Sequence, residues 1–281
     1  MLRAGVILPR QSILWSHLNS VMRWNPSQSV AVVTGASSGI GHELCVLLAQ
    51  REATVVAVAR RSERINQLAE SFPEGRIQGV VGDVTDAAVR EKIVAKAASI
   101  RGGKVDLLVN NAGIGAIGPF AEASEDRLRK IMEVNFFAPV ELTRSLLPNL
   151  RGGRDSVICN ISSVLGHRAV PNKSEYCASK FAMHGFSDSL RAELASDGIQ
   201  VTLVSPSTTR SEFFDSLIDT KSGTKSKSVG SWTPQRVAKT ALAAIESRRS
   251  EVICSLPGKA LVYADRLAPP LINAILARGN K

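Results

Sequence analysis

Tyr176 and Lys180 stand four residues apart in the stretch YCASK, whose other residues are small. If this stretch is helical, both side chains lie on one face of the helix. A phenol is a poor acid or base at neutral pH because its pKa is about 10, and a fixed cation beside it stabilises the phenolate. The spacing therefore suits a proton donor and the lysine that tunes it. Because the same spacing also arises by chance, other motifs must decide between a chemical and a structural role.

A second group of residues, TGASSGIG at 34–41, places glycines at positions 35, 39 and 41. The apolar stretch 29–35 predicts a strand that leads into this loop, and the residues after the loop have helical periodicity. Glycine permits a tight turn and lets the backbone approach a pyrophosphate, which binds at the positive N-terminal end of a helix. The sequence predicts a dinucleotide phosphate loop, with a tight turn that binds no ligand as the alternative.

The elements that would position these motifs alternate along the chain. Predicted strands occupy 29–35, 53–60, 76–84, 104–113, 155–163 and 198–206, and 250–257 is a candidate seventh strand. Helical patterns lie between them, including a long helix over about 124–148 that ends near Pro148 and a helix over 174–196 that carries YCASK. Apolar strands that alternate with helices are typical of a buried parallel sheet. We therefore predict an α/β fold, a single doubly wound, Rossmann-type, mostly parallel sheet of six or seven strands with helices on both faces.

Composition limits the kind of protein. The chain has 281 residues, 44% of them hydrophobic, which is enough to bury one large core. No apolar run reaches the roughly 18 residues that a membrane-spanning helix needs. The cysteines match no metal-ligand spacing, so we expect no metal site and predict reduced, buried thiols in a cytoplasmic type of compartment. They are Cys45, Cys159, Cys177 and Cys254.

The net charge of +10 lies at the two ends of the chain. Residues 1–42 carry three arginines and no acid, residues 220–281 carry eleven Lys or Arg against three acids, and 43–219 therefore carry −1. Basic and aromatic residues are not interleaved as they are in nucleic-acid platforms, so we predict no nucleic-acid partner. The basic ends are either solvated tails or contacts to an anionic membrane surface.

These features divide the chain into three parts. Residues 1–28 precede the first strand and contain no acid, so we place them outside the core, as an organelle-targeting segment or as residues upstream of a later start at Met22. Residues 29–256 form one dinucleotide-binding and catalytic domain. Residues 257–281 form a basic helical tail, which either lies peripherally on an anionic bilayer or packs over the substrate cleft or a subunit partner.

Five motifs in order, TGASSGIG, NNAG at 110–113, Asn135, Ser163 and YCASK, resemble those of the short-chain dehydrogenase/reductase family in its single-domain branch. The resemblance covers about residues 29–255, and the thirteen positions from Ser163 to Tyr176 fit it. It implies an oxidoreductase that transfers hydride between a nicotinamide and a carbonyl or secondary alcohol. A non-catalytic NADP-binding sensor or scaffold of the same fold is the alternative, and it would need no tyrosine–lysine pair.

The resemblance assigns four catalytic roles. Tyr176 would give a proton to the substrate carbonyl oxygen or take one in the reverse direction, and Lys180 would lower the tyrosine pKa and bind the nicotinamide ribose. Ser163 would polarise the substrate oxygen. Asn135 would hold a water that links Lys180 to solvent, unless its side chain only makes a bond at a helix kink.

The resemblance also implies which residues contact the cofactor: Gly35, Ser37, Ser38, Gly39, Ile40, Gly41, Arg60, Arg61, Asp83, Val84, Asn111, Ala112, Gly113, Tyr176, Lys180, Pro206 and Thr208. Asp83, at a strand end, has a helix N-cap as its alternative role. The second strand ends at Ala59, without the carboxylate that would bind the 2′-hydroxyl of NAD. The guanidinium groups of Arg60 and Arg61 favour the 2′-phosphate of NADP(H) over NAD(H), unless both only face solvent.

One place departs from the family pattern. After the sixth strand the family usually has Pro-Gly and a threonine four residues later, whereas this chain has Pro206-Ser207 and Ser211. Residues 207–233, rich in Ser, Lys and Gly, would form a substrate lid that is mobile without ligand. We expect a small-molecule carbonyl or alcohol as substrate, a hydrophobic one if the tail binds lipid. The resemblance also implies a homodimer or homotetramer that assembles through the two long helices.

Overall fold

Seven parallel strands form one sheet in the part of the chain that the structure describes. The structure is a computed structural model, and it describes residues 23–210, 212–214, 217–220 and 231–278. The strands are β1 Val30–Thr34, β2 Thr54–Ala59, β3 Ile77–Val81, β4 Leu107–Asn110, β5 Val157–Ile161, β6 Gln200–Ser205 and β7 Glu251–Ile253. Their order across the sheet is β3-β2-β1-β4-β5-β6-β7. The predicted doubly wound fold and its seventh strand are confirmed.

Helices connect the strands. They are α1 Gly39–Ala49, α2 Ser62–Glu70, α3 Ala87–Ala98, α4 Glu125–Met132, α5 Ala138–Arg151, α6 Ser174–Glu193, α7 Pro234–Glu246, α8 Leu256–Leu267 and α9 Pro269–Arg278. Short 3-10 turns follow β5 and β6, at Val164–Gly166 and Glu212–Phe214. Within the described ranges, none of these helices combines the length and the apolar character that crossing a membrane requires.

Both faces of the sheet are buried, as its continuous apolar strands predict. One face packs against α1 and α7, with Val33 next to residues such as Leu44 and Leu242. The other face packs against α3, α5 and α6, with Val32 next to Leu142 among others. Each large apolar side chain that is fully buried contributes about 1.5–3 kcal/mol, so these two layers hold the helices firmly on the sheet.

The strand order reverses between β1 and β4. β1 pairs with β2 on one side and with β4 on the other, and the chain then builds outward in both directions. In open parallel sheets, ligands bind in the crevice beyond the carboxyl ends of the strands at this point. The glycine loop follows β1 and the NNAG turn follows β4, so the fold brings both motifs to the crevice.

The long helix predicted over 124–148 is wrong in two respects. A π-helical turn, Glu133–Phe137, separates α4 from α5, and α5 continues to Arg151 with Pro148 inside it. Proline lacks an N–H and so leaves the carbonyl of Arg144 without its helical partner. Arg144 and Pro148 are both exposed, where water can satisfy that carbonyl, and the helix therefore runs past the proline.

Trp24 corrects the prediction that residues 1–28 lie outside the core. Its side chain is only 2% exposed in the layer formed with α1 and α7, and its backbone N–H donates to the carbonyl of Glu246 at 2.9 Å. A large aromatic ring so close to β1 extends the core at little entropic cost. Residues 1–22, which include the predicted targeting segment, lie outside the described residues.

The predicted tail begins with a helix that belongs to the domain. Val262 on α8 is 1% exposed and packs with Val164 and Ile253. The following helix, α9, has no buried residue. The two halves of the tail are therefore different: α8 is part of the fold, and α9 lies on its surface.

Candidate active site

A cavity of about 790 Å³ lies at the carboxyl ends of the strands. The residues predicted from the sequence to bind cofactor or perform catalysis line this cavity, with the exception of Gly41 and Asn135. Those two lie behind its wall and contact residues that line it. Residues that are far apart in sequence therefore form one continuous site.

The glycine loop forms the part of the cavity next to α1. Gly35 and Gly39 have φ of +69° and +60°, in the left-handed region where other residues are strained. A Cβ at Gly41 would collide with the carbonyl oxygen of Gly35 and with Nδ2 of Asn111. Only glycine allows the loop to lie this close to the NNAG turn and to present its backbone at the N-terminus of α1.

The NNAG turn is tied to β1 by Thr34, which sequence reasoning missed. Oγ1 of Thr34 accepts hydrogen bonds from the backbone N–H groups of Asn111 at 3.0 Å and Ala112 at 3.1 Å. Nδ2 of Asn111 donates to the carbonyl of Thr34 at 2.9 Å. These bonds fix the turn relative to the glycine loop. Threonine is common in buried strands, so its type alone gave no signal.

Asp83 is not the helix N-cap that was its alternative role. The N-cap of α3 is Asp86, whose side chain accepts from the N–H of Ala88 at 2.9 Å. Asp83 instead accepts from the N–H and hydroxyl of Thr85, and its other oxygen lies 3.6 Å from Nη1 of Arg60. Asp83 and Val84 line the cavity beyond β3, where the family resemblance implied adenine contacts.

The two predicted arginines differ in their surroundings. Arg60 is 68% exposed in its side chain and faces Asp83. Arg61 lies over the glycine loop, where its Nη2 donates to Oγ of Ser37 at 2.9 Å and to Oγ of Ser38 at 2.6 Å. The alternative in which Arg61 only faces solvent is therefore wrong.

Arg64 joins Arg61 one helical turn further along α2, and sequence reasoning missed it. The carboxylate of Glu212 accepts from Nη1 of Arg61 at 2.7 Å and from Nη1 of Arg64 at 2.7 Å. Hydrogen bonds from Arg61 and then Arg64 lower the pKa of Glu212 to about 2. Two guanidinium groups, two serine hydroxyls and one carboxylate thus meet at the end of β2.

The predicted catalytic side chains come together between β5 and α6. Ser163 and Tyr176 both line the cavity here, and Oγ of Ser163 accepts a hydrogen bond from the backbone N–H of Leu165 at 3.1 Å. Lys180 lies on the same face of α6 as Tyr176, with Nζ 5.6 Å from the centre of the phenol ring. Nζ donates a hydrogen bond to the carbonyl of Ile161, the last residue of β5, at 3.0 Å. The helical spacing read from YCASK is therefore present in the structure.

Burial dominates the electrostatics of this pair. It raises the pKa of Tyr176 well above its usual value, while the nearby Ser163 hydroxyl acts in the opposite direction and is the smaller effect. It lowers the pKa of Lys180 to about 8. Nζ of Lys180 bonds the carbonyl of Ile161 rather than the phenol oxygen here, so the expectation that Lys180 lowers the tyrosine pKa stays a prediction.

Asn135 lies in the π-helical turn and is 2% exposed. Its Oδ1 accepts from the N–H of Ile114 at 2.8 Å, and its Nδ2 donates to the carbonyl of Ile114 at 2.9 Å and to Oγ of Ser179 at 3.0 Å. Both amide protons are therefore used within the protein, and one lone pair of Oδ1 remains for a water. π-Helical turns often occur at functional sites, and this one directs Asn135 towards the loop that follows NNAG.

The departure from Pro-Gly is accommodated by a serine pair. The carbonyl of Pro206 accepts from the N–H of Val164 at 2.9 Å, and Oγ of Ser255 donates to Oγ of Ser207 at 2.8 Å. Ser207 is not among the described residues with positive φ, so this turn does not require glycine. Ser211 lies outside the described residues.

Described parts of the predicted lid 207–233 close one side of the cavity. Its ends are joined by hydrogen bonds between Trp232 and the backbones of Thr208 and Arg210. Further along, the ring of Phe213 lies 5.7 Å from the ring of Tyr176, and the N–H of Ile218 donates to the carbonyl of Gly115 at 2.9 Å. Residues 211, 215–216 and 221–230 lie outside the described residues, and with them much of the predicted lid.

Known proteins share these motifs and this fold. The family model described as short chain dehydrogenase matches residues 29–222. The chain belongs to the short-chain dehydrogenase/reductase family. Dehydrogenase/reductase SDR family member 7B of Bos taurus is 33% identical over 276 residues, which cover 94% of this chain and 83% of that protein.

Solved structures of short chain dehydrogenases share this fold. A short chain dehydrogenase of Burkholderia cenocepacia in complex with NADP has a TM-score of 0.76 and 27% identity, over 90% of this chain and 99% of that chain. A short chain dehydrogenase/reductase of Burkholderia phymatum in complex with NAD has a TM-score of 0.79 and 23% identity, over 88% of this chain and 96% of that chain. The chain is an oxidoreductase of this family, and the two neighbours above were solved with NADP and with NAD.

Proposed function

We propose that this oxidoreductase transfers hydride between NADP(H) and a carbonyl or secondary alcohol, with Tyr176 as general acid and base. The observation that carries the proposal is that Ser163, Tyr176 and Lys180 line the same cavity as the glycine loop. A sensor or scaffold that only binds a dinucleotide has no need of a phenol in the same cavity as a serine hydroxyl and a buried ammonium. That alternative therefore stands second.

The residues present fit a nicotinamide dinucleotide. The glycine loop lines the cavity at the N-terminus of α1, which begins at Gly39, and a helix N-terminus offers backbone N–H groups to a pyrophosphate. Tyr176 and Lys180 would hold the ribose at the other end of the cavity. When bound, the nicotinamide supplies or accepts the hydride, and the protein supplies position, charge and the proton.

The side chains of this chain handle the proton. In the direction of reduction, Tyr176 would donate its phenolic proton to the substrate oxygen while the Ser163 hydroxyl holds that oxygen in place. The raised pKa of Tyr176 keeps the phenol protonated at neutral pH, which is the form an acid needs. The nearby Lys180 cation would stabilise the negative charge that develops on the oxygen.

The preference for NADP(H) is supported by the charges at the end of β2. Ala59 offers no carboxylate to a 2′-hydroxyl, and two arginines and two serine hydroxyls surround the place where a 2′-phosphate would lie. A planar guanidinium binds a phosphate through paired, charge-assisted hydrogen bonds. These contacts favour a phosphate dianion over a neutral hydroxyl.

The substrate side of the cavity is apolar. Beyond Ser163 and Tyr176 its walls are formed by aliphatic side chains from four separate segments, which include Ile117, Leu165, Val170, Leu217 and Leu261. An apolar wall favours substrates with hydrocarbon groups, because water is released from both surfaces when they meet. We propose an apolar carbonyl or alcohol, with carbon chains or rings beside the reacting group.

The test is turnover on a panel of ketones, aldehydes and alcohols that differ in apolar size, with NADPH or NADP as cofactor. Replacement of Tyr176 by Phe removes only the hydroxyl, so we expect the rate to fall by about 10²-fold or more while NADPH binding stays within a factor of two. A wild-type protein that binds NADPH but turns over nothing on the panel would favour the sensor. An equal rate for Tyr176→Phe would exclude Tyr176 as the acid.

We also propose that two copies assemble through α4 and α6. Large apolar side chains are exposed on this surface: Leu128 by 44%, Phe137 by 48% and Phe181 by 43%. Burying such side chains against a second copy is favourable. The family resemblance implied an interface through the two helices predicted over 124–148 and 174–196, which contain α4 and α6. Sedimentation of wild type and Phe181→Glu tests this, since the charge should favour the monomer; a wild type that sediments as a monomer contradicts it.

A further part of the proposal is peripheral contact with an anionic membrane through α8 and α9. Five apolar side chains are more than half exposed on this pair of helices: Leu256, Tyr263, Leu267, Leu271 and Ile275. Basic residues flank them, and the pair of helices is short enough to lie in the headgroup region rather than to span it. Because α8 also lines the cavity, this contact would bring an apolar substrate close to its site.

A further inference from the structure

The carboxylate of Glu212 binds both arginines at the end of β2, Arg61 and Arg64. Its two carboxylate oxygens accept hydrogen bonds of 2.7 to 2.8 Å from Arg61 and Arg64. Arg61 at the same time bonds the hydroxyls of Ser37 and Ser38 in the glycine loop. The carboxylate therefore takes the position, relative to two guanidinium groups, that a bound phosphate oxygen would take.

Glu212 is distant in sequence from its partners Arg61 and Arg64, and it lies in a different element of the fold. Arg61 and Arg64 belong to the start of α2, whereas Glu212 begins the 3-10 turn Glu212–Phe214 after β6. All three side chains remain partly exposed, with 44%, 44% and 45% of their area accessible. An exposed contact of this kind is weak enough to be exchanged for a stronger anion, and a phosphate dianion carries more charge than a carboxylate.

We infer that Glu212 competes with the adenosine 2′-phosphate for Arg61 and Arg64, and so sets how strongly this site discriminates between NADP(H) and NAD(H). The inference rests on the proposed function, because it assumes that the adenosine end of the cofactor lies at the end of β2. NADP(H) must displace the carboxylate before the arginines can bind its phosphate. NAD(H) carries no group that requires this exchange, so Glu212 lowers the affinity for one dinucleotide only.

Binding of NADPH and NADH to the full chain, followed by nicotinamide fluorescence, tests the inference directly. Glu212→Gln removes the charge and keeps the shape, so the Kd for NADPH should fall by about fivefold, the value of one exposed ion pair. The Kd for NADH should change by less than a factor of two. Adenosine 2′,5′-bisphosphate should gain affinity in the same way, and ADP should not.

The matched control is Glu141→Gln. Glu141 is 43% exposed, close to the 45% of Glu212, and pairs with Arg144 at 2.6 Å on α5, so its replacement removes an arginine contact far from the end of β2. It should leave both Kd values unchanged. In the background of Arg61→Ala, the effect of Glu212→Gln on NADPH should shrink, because one of the two contested cations is gone.

The outcomes separate the inference from the proposal on which it rests. An unchanged Kd for NADPH in Glu212→Gln, or an equal gain for NADPH and NADH, would overturn the competition by Glu212. A wild-type chain that binds neither dinucleotide would instead overturn the proposed function. A selective gain for the two ligands that carry a 2′-phosphate supports both.

Discussion

Burial acts on the two central residues of the site in opposite directions. It lowers the pKa of the Lys180 ammonium to about 8 and raises that of the Tyr176 phenol, because a charge is costly away from water in either case. At neutral pH both groups still carry their protons. The site is therefore set up to give a proton to a substrate oxygen, which suits reduction of a carbonyl by a reduced cofactor.

His184 carries a second consequence of burial at the level of a single residue. It lies one turn after Lys180, with its ring perpendicular to that of His167 and 4.3 Å away, and His167 contacts Glu251 at 2.7 Å. Burial and then the nearby His167 lower the pKa of His184 from 6.5 to about 4. The folded chain thus holds this imidazole neutral, whereas the unfolded chain protonates it near pH 6.5.

We predict that folding stability falls between pH 6.5 and pH 4 through His184. The unfolded state binds the proton more readily than the folded state. The contribution of His184 to the free energy of unfolding is therefore fully present above pH 6.5 and decreases as the pH falls, with a loss of about 2 kcal/mol at pH 5. Urea unfolding at pH 7 and pH 5 measures the difference. It should shrink in His184→Gln and persist in His42→Gln, a half-buried histidine on α1. An equal loss in all three chains would contradict the assignment.

At the scale of elements, α4 and α6 are joined by a buried ion pair just before Tyr176. Arg127 and Glu175 are 2% and 4% exposed, and Nη2 of Arg127 donates to Oε1 of Glu175 at 2.6 Å. Ser174 donates to the other carboxylate oxygen at 2.8 Å. Although burial alone would raise it, these hydrogen bonds lower the pKa of Glu175. The pair fixes the start of α6 and, with it, the position of the phenol.

Replacing only one member of this ion pair should lower the free energy of unfolding more than replacing both. Arg127→Met leaves a buried carboxylate without its cation, and we expect a loss of about 3 kcal/mol or more in the free energy of unfolding. The double variant Arg127→Met, Glu175→Gln should be more stable than the sum of the single variants, because no isolated charge remains. Urea unfolding of the four chains measures the coupling. Additive losses would show that the two side chains act independently.

Local patterns predicted the elements well and their long-range contacts poorly. The apolar strands, the glycine loop and the tyrosine–lysine spacing are short-range signals, and the structure places them as predicted. The π-helical turn at Asn135 was missed because its five residues are too few to change the hydrophobic pattern of the helical segments around it. The bond between Arg61 and Glu212 spans 151 positions, so nothing near either residue indicates the other.

At the scale of the whole molecule, charge and apolar surface meet on the helices at the carboxyl end. Asp265, an acidic residue on α8, is neutralised by Arg168 at 2.8 Å. The exposed residues Lys259, Arg266 and Arg278 therefore make this surface positively charged. The guanidinium of Arg266 lies 6.0 Å from the ring of Tyr263, so cation and apolar ring are presented side by side. Such a surface is complementary to the headgroup region of an anionic bilayer.

We predict that vesicles containing phosphatidylserine sediment with the chain and that Leu271→Glu with Ile275→Glu reduces the bound fraction by about tenfold. Both side chains lie on α9, where nothing is buried, so the change should leave the fold and the cavity intact. Two fewer apolar groups and two more negative charges both oppose binding to an anionic surface.

Phe120→Glu, at a site that is 72% exposed elsewhere on the domain, serves as control and should bind like wild type. Binding should also weaken on neutral phosphatidylcholine vesicles and at high salt, because cations contribute to it. Equal binding of the wild type and the α9 variant would assign this surface to something other than lipid.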